Sequence, residues 1–247
     1  MQLREYAGVD ALPRSYAELL EWGAQQDMRH GRAWLEAVMH HGASGDDRPV
    51  LFGIEDSAGL PRALSAGLSS DRYSKGLHGR ALILAQGDDT PYRPLVAEGV
   101  STLEVLRMVA RHARRSDRPY DVLRVSPLDP DSDLFQRLPS ALRAEGWIPQ
   151  RFFMFANWYE HVSGLGSDEF LRARSSRLRS TVERRTRSLV RSGRCRIEVS
   201  TGGPTLDTYI SDYELVFTRS WKRGLAEVSV NYLHAIIRVA AQAGALR

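Results

Sequence analysis

The sequence predicts a mixed α/β fold in which helices flank a sheet. The chain has 247 residues, of which 43% are hydrophobic, and this length and composition suffice for a sizeable core. Amphipathic helical patterns and short alternating segments follow one another along it. A strongly basic segment then separates this first series of elements from a second, shorter one. These three observations together indicate one α/β part, a long basic helix and the beginning of another α/β part.

The first series begins with two amphipathic helices, predicted at 15–26 and 32–41. A meander of three strands follows, because apolar and polar residues alternate between turn-forming segments. The predicted strands are 50–55, 62–68 and 80–85, followed by a helix at 100–115, a strand at 120–125, a helix at 132–145 and an aromatic strand at 147–159.

The basic segment lies between residues 167 and 196 and carries ten arginines against three acidic residues. Its net charge is therefore +7, whereas the whole chain has +4, so the positive charge is a local feature. Ser167 is a typical helix N-cap and Gly193 a typical helix end. Between them, apolar residues recur at helical spacing and form one narrow stripe. These residues are Leu171, Leu178, Val182 and Leu189.

Guanidinium groups match the geometry of phosphate, so this segment fits a polyanion or a diphosphate. An arginine-rich helix is, however, most often only a solvated face. Beyond it, the pattern predicts a strand at 194–200, a helix from Pro204 to about 221, and a last helix from about 230 that stops at Gly244.

Several classes of site are absent from the sequence. Cys195 is the one cysteine, which excludes an internal disulfide and fits a reducing compartment. The seven histidines are scattered without the spacing of metal ligands, so we expect no metal. The N-terminus lacks the apolar core of a signal peptide, and no segment is long and apolar enough to span a bilayer. We therefore expect a cytoplasmic protein without membrane insertion.

The second series carries a resemblance to a known family. Its parts are the arginine helix 171–189, the strand with Glu198, the triplet Ser220-Trp221-Lys222, and the final residues 243–247. In this combination the chain resembles the GNAT acyltransferases associated with cellulose and other exopolysaccharide synthesis, which are bacterial relatives of Fem-type peptidyltransferases. The similarity runs from about Trp34 to the end.

The resemblance implies two GNAT-like halves, with a GNAT-like mixed sheet in residues 1–160 and the first elements of a second lobe in residues 161–247. It also implies an N-acyltransferase that transfers an acyl group from acyl-CoA, as acetyl-CoA, to an amine. The acceptor would be a small molecule, a sugar, a polysaccharide or another cell-envelope precursor.

Two departures from the family pattern bear on the donor site. The segment 86–99 lacks the GNAT phosphate-binding signature and carries two prolines and three acidic residues instead. We therefore expect the first half to be non-catalytic and to shape a cleft. The second half stops before its own signature would appear, so we expect the cofactor site beyond Arg247 and an incomplete chain that is inactive by itself.

Candidate contacts to an anionic acceptor or to the cofactor phosphates are Arg177, Arg184, Arg185, Arg219, Trp221 and Lys222. A tryptophan in such a position is more often a core residue than a binding surface. The catalytic base stays unassigned among Glu198, Glu214 and Glu227.

Other functions remain open beside acyl transfer. The helix 172–196 alone could make the chain a polyanion- or tRNA-binding module, although no aromatic residue follows Phe170 within the segment to stack on bases. A purely structural role is a further alternative. A membrane-surface helix is disfavoured, because the apolar stripe is thin and lacks tryptophan.

Overall fold

The computed structural model describes residues 1–41, 47–74, 77–85, 91–154, 164, 166–193, 198–220 and 230–246. The chain forms two compact units. One comprises Met1–Phe152 together with Thr201–Arg247, and the other comprises Phe153–Ser200. The division at residue 160 in the sequence interpretation stays a prediction.

The first unit holds all strands and most helices of the described residues. In chain order these are β1 Gln2–Tyr6, α1 Ala17–Gln26, α2 Arg32–His41, β2 Arg48–Glu55, β3 Pro61–Ser74, β4 Leu77–Leu84, β5 Leu95–Val96, α3 Thr102–Arg115, β6 Val122–Val125 and α4 Asp133–Ala144. Short 3₁₀ turns at Val9–Ala11, Arg14–Tyr16 and Met28–His30 connect the first of them.

The strands form a mixed sheet with the order β1-β2-β3-β4-β6, and β5 adds to β3. The pairs from β1 to β4 are antiparallel, and β2 aligns with β3 from Arg48 opposite Ser69 onwards. The last pair is parallel, with Ala81 of β4 opposite Val122 of β6. A parallel pair needs a crossover connection, and the segment that contains α3 provides it.

Helices cover both faces of the sheet, because neighbouring residues of a strand point to opposite sides. Phe52 of β2 belongs to one core, which includes apolar residues of α3 and α4. The adjacent Leu51 belongs to a second core, which includes residues of α1 and α2. The inner strand β2 is therefore buried on both faces, and a continuous apolar run replaces alternation in its sequence.

A buried carboxylate joins β1, β2 and the turn before α1. Glu55 is 6% exposed and accepts hydrogen bonds from the hydroxyl groups of Tyr6, at 3.2 Å, and Tyr16, at 3.3 Å. Arg4 adds an ion pair at 3.2 Å between its Nε and Oε2 of Glu55. Burial raises the pKa of Tyr16, so its hydroxyl stays protonated and keeps donating.

The end of the first unit consists of two helices, α7 Leu206–Arg219 and α8 Val230–Gln242. The labels α5 and α6 belong to two helices of the other unit, which come earlier in the chain. Helix α8 packs on α2 and on α7. The predicted stop at Gly244 is confirmed, since this residue has a positive φ of 66° just after the helix.

The second unit contains the basic segment, which forms two helices rather than the predicted single one. Helix α5 spans Ser167–Arg172, and α6 spans Ser176–Ser192. Ser175 interrupts the helix because its side chain accepts a hydrogen bond from the Leu178 amide at 3.4 Å and so caps a new N-terminus. The predicted end at Gly193 is confirmed by its left-handed conformation.

The mixed α/β class, the three-strand meander and the helices at α1 to α4 are confirmed. The aromatic strand predicted at 147–159 is wrong over 147–154, where the chain forms no strand and exposes Ile148, Phe152 and Phe153. Residues 155–159 lie outside the described residues. The strand predicted at 194–200 is likewise wrong for residues 198–200, and 194–197 are not described. Strands β1 and β5 were not predicted, because they are only five and two residues long.

We predict that Gly53→Ala lowers the free energy of unfolding by about 1–3 kcal/mol. A Cβ atom at this position overlaps the hydroxyl of Tyr16 and lies 2.8 Å from Cε2 of Tyr6. Urea denaturation monitored by circular dichroism measures the change.

The double variant Gly53→Ala with Tyr16→Phe provides the control. Removing the hydroxyl eliminates the closest overlap and leaves Cζ of residue 16 at 2.7 Å from the added Cβ, so the double variant should be more stable than the two separate effects added together. Strict additivity would contradict the packing described for Gly53.

Candidate functional site

The strand pair β4 and β6 ends beside a cavity of about 320 Å³. Residues 91–93, which come after β4, and Leu128 and Asp129, which come after β6, form part of its wall. Cavities at the carboxyl ends of parallel strands are the usual ligand sites of α/β sheets. We therefore take this cavity as the candidate site of the first unit.

The first turns of two helices form the rest of the wall. Ser101, Thr102 and Leu103 begin α3, and Ser132 and Asp133 begin α4. Both serines are N-caps: Ser101 Oγ accepts from the Glu104 amide at 3.4 Å, and Ser132 Oγ accepts from the Phe135 amide at 3.2 Å. The positive ends of two helix dipoles therefore face the same cavity.

The charged side chains of the wall balance each other. Arg93 and Arg137 contribute two positive charges, and Asp129 and Asp133 contribute two negative ones. Nη1 of Arg137 lies 3.1 Å from Oδ2 of Asp133, one turn away on α4. The lining thus offers donors and acceptors of both signs, which suits a polar ligand with hydroxyl and amino groups better than a diphosphate.

Hydrogen bonds hold the two strand-end segments together. The Tyr92 amide donates to the carbonyl of Pro127 at 2.8 Å, which links the segment after β4 to the one after β6. The buried Tyr92 hydroxyl shares a 2.6 Å hydrogen bond with Ser65 of β3. Burial raises the pKa of Tyr92, so this phenol stays protonated.

A buried ion-pair cluster fixes α4 against α3. The Glu145 side chain is 3% exposed and accepts from Nε of Arg111 at 2.8 Å and from Nη2 of Arg107 at 3.0 Å. The hydrogen bonds from Arg111 contribute most to lowering the pKa of Glu145, and those from Arg107 add to this effect. Burial acts in the opposite direction, and the resulting pKa is about 2. Trp147 adds a 3.0 Å hydrogen bond from its indole Nε1 to the Ala110 carbonyl. The two helices whose first turns line the cavity are thus held by a charged clamp.

The second unit offers a different surface, the arginine face of α6. This name denotes Arg177, Arg184, Arg187 and Arg191, whose positions fall within an arc of about 80° around the helix axis. All four are exposed. Three of them line one groove together with serines, and the described residues of its lining are Ser180, Arg184, Arg187, Ser188, Arg191 and Ser192.

The structure distributes the predicted anion-binding residues over several places. Arg177 and Arg184 lie on the arginine face, whereas Arg185 lies about 80° from Arg177, beside the apolar stripe. Arg219 is the last residue of α7. Trp221 and Lys222 lie outside the described residues.

The glutamates considered as a base lie in different elements. Glu214 is on α7, and its Oε2 lies 3.4 Å from Nε2 of His234 on α8. Glu198 is exposed, and Glu227 lies outside the described residues. Neither described glutamate lines the cavity.

Sequence reasoning did not identify the cavity residues. One local signal was present, since Ser101-Thr102-Leu103-Glu104 has the pattern of a capping box and marks the helix start that lines the cavity. No such sequence signal marks Leu128 and Asp129, because they line the cavity only as a result of the pairing of β6 with β4.

Within the described ranges, no group of three or more His, Cys, Asp or Glu side chains is arranged to hold a metal ion. None of the described helices has the length and apolar character required to cross a membrane.

Comparisons with known proteins add little to this geometry. No protein-family model matches the chain, and no curated protein matches it. Among solved structures, the chain is similar to the crystal structure of a mutant BH1408 protein from Bacillus halodurans, with 12% identity and a TM-score of 0.31. The match covers 64% of this chain and 100% of the other, and a similarity this weak carries no argument about function.

We predict that Glu145→Gln lowers the free energy of unfolding at pH 7 by about 1.5–3 kcal/mol, because two guanidinium groups lose their charged acceptor. The pKa of Glu145 is lowered on folding, so its contribution is present above about pH 4.3 and disappears as the pH falls towards 2. Urea denaturation of both proteins between pH 7 and pH 2 measures the difference.

Glu104→Gln is the matched control. Glu104 contacts the same Arg107 at 3.2 Å, but its side chain is 48% exposed, so we expect a loss below about 1 kcal/mol. Equal losses for the two variants, or a loss for Glu145→Gln that does not shrink in acid, would contradict the role assigned to the clamp.

Proposed function

We propose that this chain is part of an N-acyltransferase that transfers an acyl group from acyl-CoA to an amine of a sugar, polysaccharide or cell-envelope precursor. The observation that carries the proposal is the sheet. Strand β1 is followed by α1 and α2, an antiparallel meander from β2 to β4 comes next, and α3 then leads to β6, which pairs parallel with β4. This order of elements is the one expected for the first half of a GNAT-like acyltransferase.

The proposed reaction needs positioning more than reactive side chains. The neutral amine attacks the thioester carbonyl carbon, the C–S bond breaks, and the sulfur leaves as the thiolate while the new amide nitrogen loses a proton. Orientation of the two reactants and polarisation of the carbonyl by backbone N–H groups supply much of the acceleration in such a reaction.

We assign the cavity to the acceptor. Its lining contains two carboxylates, two guanidinium groups and hydroxyl groups from Ser101 and Thr102. Carboxylates attract an ammonium group, and the hydroxyl and guanidinium groups match the hydroxyl groups of a sugar. A volume of about 320 Å³ is at the lower end of the range for small-molecule pockets and fits a monosaccharide unit.

The donor is assigned to acetyl-CoA by the family resemblance alone. A diphosphate needs converging N–H groups and positive charge. Although two helix N-termini face the cavity, Asp129 and Asp133 stand beside them and repel a phosphate. The cavity in the first unit is therefore proposed to bind no CoA, in keeping with the absent signature in 86–99.

Polyanion binding is a second candidate function. The arginine face of α6 favours it, because four exposed guanidinium groups share one side of the helix. The two functions are compatible, since the cavity and the arginine face belong to different units.

The proposed reaction predicts a change in the cell envelope. Disrupting the gene in the organism that encodes this chain should lower the acyl content of its surface polysaccharide, measured by proton NMR of the purified polymer. Expression of the wild-type gene should restore it. An unchanged acyl content after disruption would overturn the proposal.

Two complementing variants connect that result to the cavity. Thr102→Trp fills the cavity from the first turn of α3 and should fail to restore acylation. Thr208→Trp adds the same bulk at an exposed position of α7 and should restore it. Equal restoration by both would remove the cavity from the proposal while leaving the acyltransferase assignment standing.

We also predict that acetyl-CoA does not bind the purified 247-residue chain with micromolar affinity. The two positive and two negative charges that line the cavity cancel, so the cavity has no net positive charge to attract a diphosphate. Isothermal titration calorimetry with acetyl-CoA measures this. Micromolar binding that Thr102→Trp abolishes would show that the donor occupies the cavity instead of the acceptor.

A further inference from the structure

The arginine face of α6 has an unusual charge environment for this protein. In the first unit, arginines such as Arg107, Arg111 and Arg137 contact carboxylates at about 3 Å. On α6 no acidic residue lies within the arc of the arginine face. Glu183 stands at its edge, and its Oε2 lies 3.6 Å from Nη2 of Arg187. Four arginines thus concentrate positive charge that one exposed carboxylate only partly offsets.

The dimensions of this face suit a row of phosphates. The positions of Arg177 and Arg191 are 14 residues apart on α6, which corresponds to about 21 Å along the axis. Guanidinium groups bind phosphate oxygens in pairs and keep their charge at all physiological pH values. The face can therefore contact several phosphates of one polymer at once.

The opposite side of α6 argues against a lipid bilayer as the partner. Leu178, Val182 and Leu189 lie within about 40° of one another and about 160° from the centre of the arginine face. A helix that buries this apolar stripe in a membrane points its arginines away from the lipid phosphates. A polymer that contacts only the arginine side of the helix avoids this conflict, because it does not need to contact the apolar stripe.

The other side chains of the face indicate which polymer it fits. The face has no aromatic residue to stack on unpaired bases, which disfavours a single strand. It has serine hydroxyl groups instead, those of Ser180 and Ser188, in the same groove as the arginines. Duplex RNA is recognised largely through phosphates and 2′-hydroxyl groups, and serine hydroxyl groups can hydrogen-bond to the 2′-hydroxyl groups, which DNA lacks.

We propose that the arginine face of α6 binds double-stranded RNA through its phosphates and 2′-hydroxyl groups, without reading the base sequence. The proposal stands independently of the acyltransferase assignment, because it uses only residues of the second unit. It assigns Arg177, Arg184, Arg187 and Arg191 to phosphate contacts.

Fluorescence anisotropy of the full chain with a labelled 20-base-pair RNA duplex of mixed sequence tests the proposal. Binding should weaken steeply between 50 and 300 mM KCl. Four phosphate contacts correspond to a slope of about −3.6 in the plot of log K against log salt. Absence of binding at 50 mM KCl would overturn the proposal.

Two charge-matched double variants separate the face from general basicity. Arg184→Gln with Arg191→Gln should weaken binding at least tenfold at 100 mM KCl and reduce the slope by about 1.8. Arg172→Gln with Arg179→Gln removes the same charge at positions off the face and should change affinity less than threefold. Equal effects of the two pairs, with helix content unchanged by circular dichroism, would show that no defined face exists.

Three other ligands complete the experiment. A DNA duplex and a single-stranded RNA of the same length should each bind more weakly than the RNA duplex. Vesicles of phosphatidylcholine with 30% phosphatidylserine should bind more weakly still. Tighter binding of DNA, of the single strand or of vesicles would each overturn the assignment to duplex RNA.

Discussion

The parallel pairing of β4 with β6 is the constraint on which the rest of the first unit depends. Two parallel neighbours cannot be joined by a hairpin, so the chain reaches β6 from β4 by a crossover that includes β5, on β3, and then α3. That detour places both strand ends, and the first turns of both following helices, at one edge of the sheet. The cavity, its two capped helices and the clamp at Glu145 all follow from this single departure from the antiparallel meander.

Arginine serves opposite purposes in the two units. Around Glu145, two guanidinium groups surround a buried carboxylate and hold two helices in place. On α6, arginines of the same chemical type stand on an exposed helix whose apolar stripe is itself half-exposed, with Leu178 at 48% and Leu189 at 50%. The residue type alone therefore says little about its role. The position of acidic partners decides whether an arginine holds the fold together or remains available to a ligand.

Local sequence patterns predicted most helices and strands of the first unit, but they did not predict which strands distant in the sequence pair with each other. The helix α3 could be predicted because neighbouring residues of the sequence form its apolar face. Strand β1 escaped prediction because its five residues are stabilised by pairing with β2, about fifty positions later. The predicted strand at 147–154 failed for the converse reason, since aromatic residues favour a strand only where a partner is present. The cavity could not be foreseen, because its walls come from segments that only the tertiary fold brings together, whereas the arginine face of α6 could, since one helix forms it.

The exposed segment after α4 has a consequence for the covalent integrity of the chain. Phe152 and Phe153 are 82% and 85% exposed and lie outside any helix or strand, and accessible aromatic residues in such segments are natural cleavage sites for proteases of chymotrypsin-like specificity. Cleavage there cuts the polypeptide between α4 and α5. Helix α8 nevertheless packs on α2, far earlier in the sequence, so the pieces of the first unit have a non-covalent reason to stay together. A single cleavage at this segment therefore divides the polypeptide, while the sheet and its cavity stay intact.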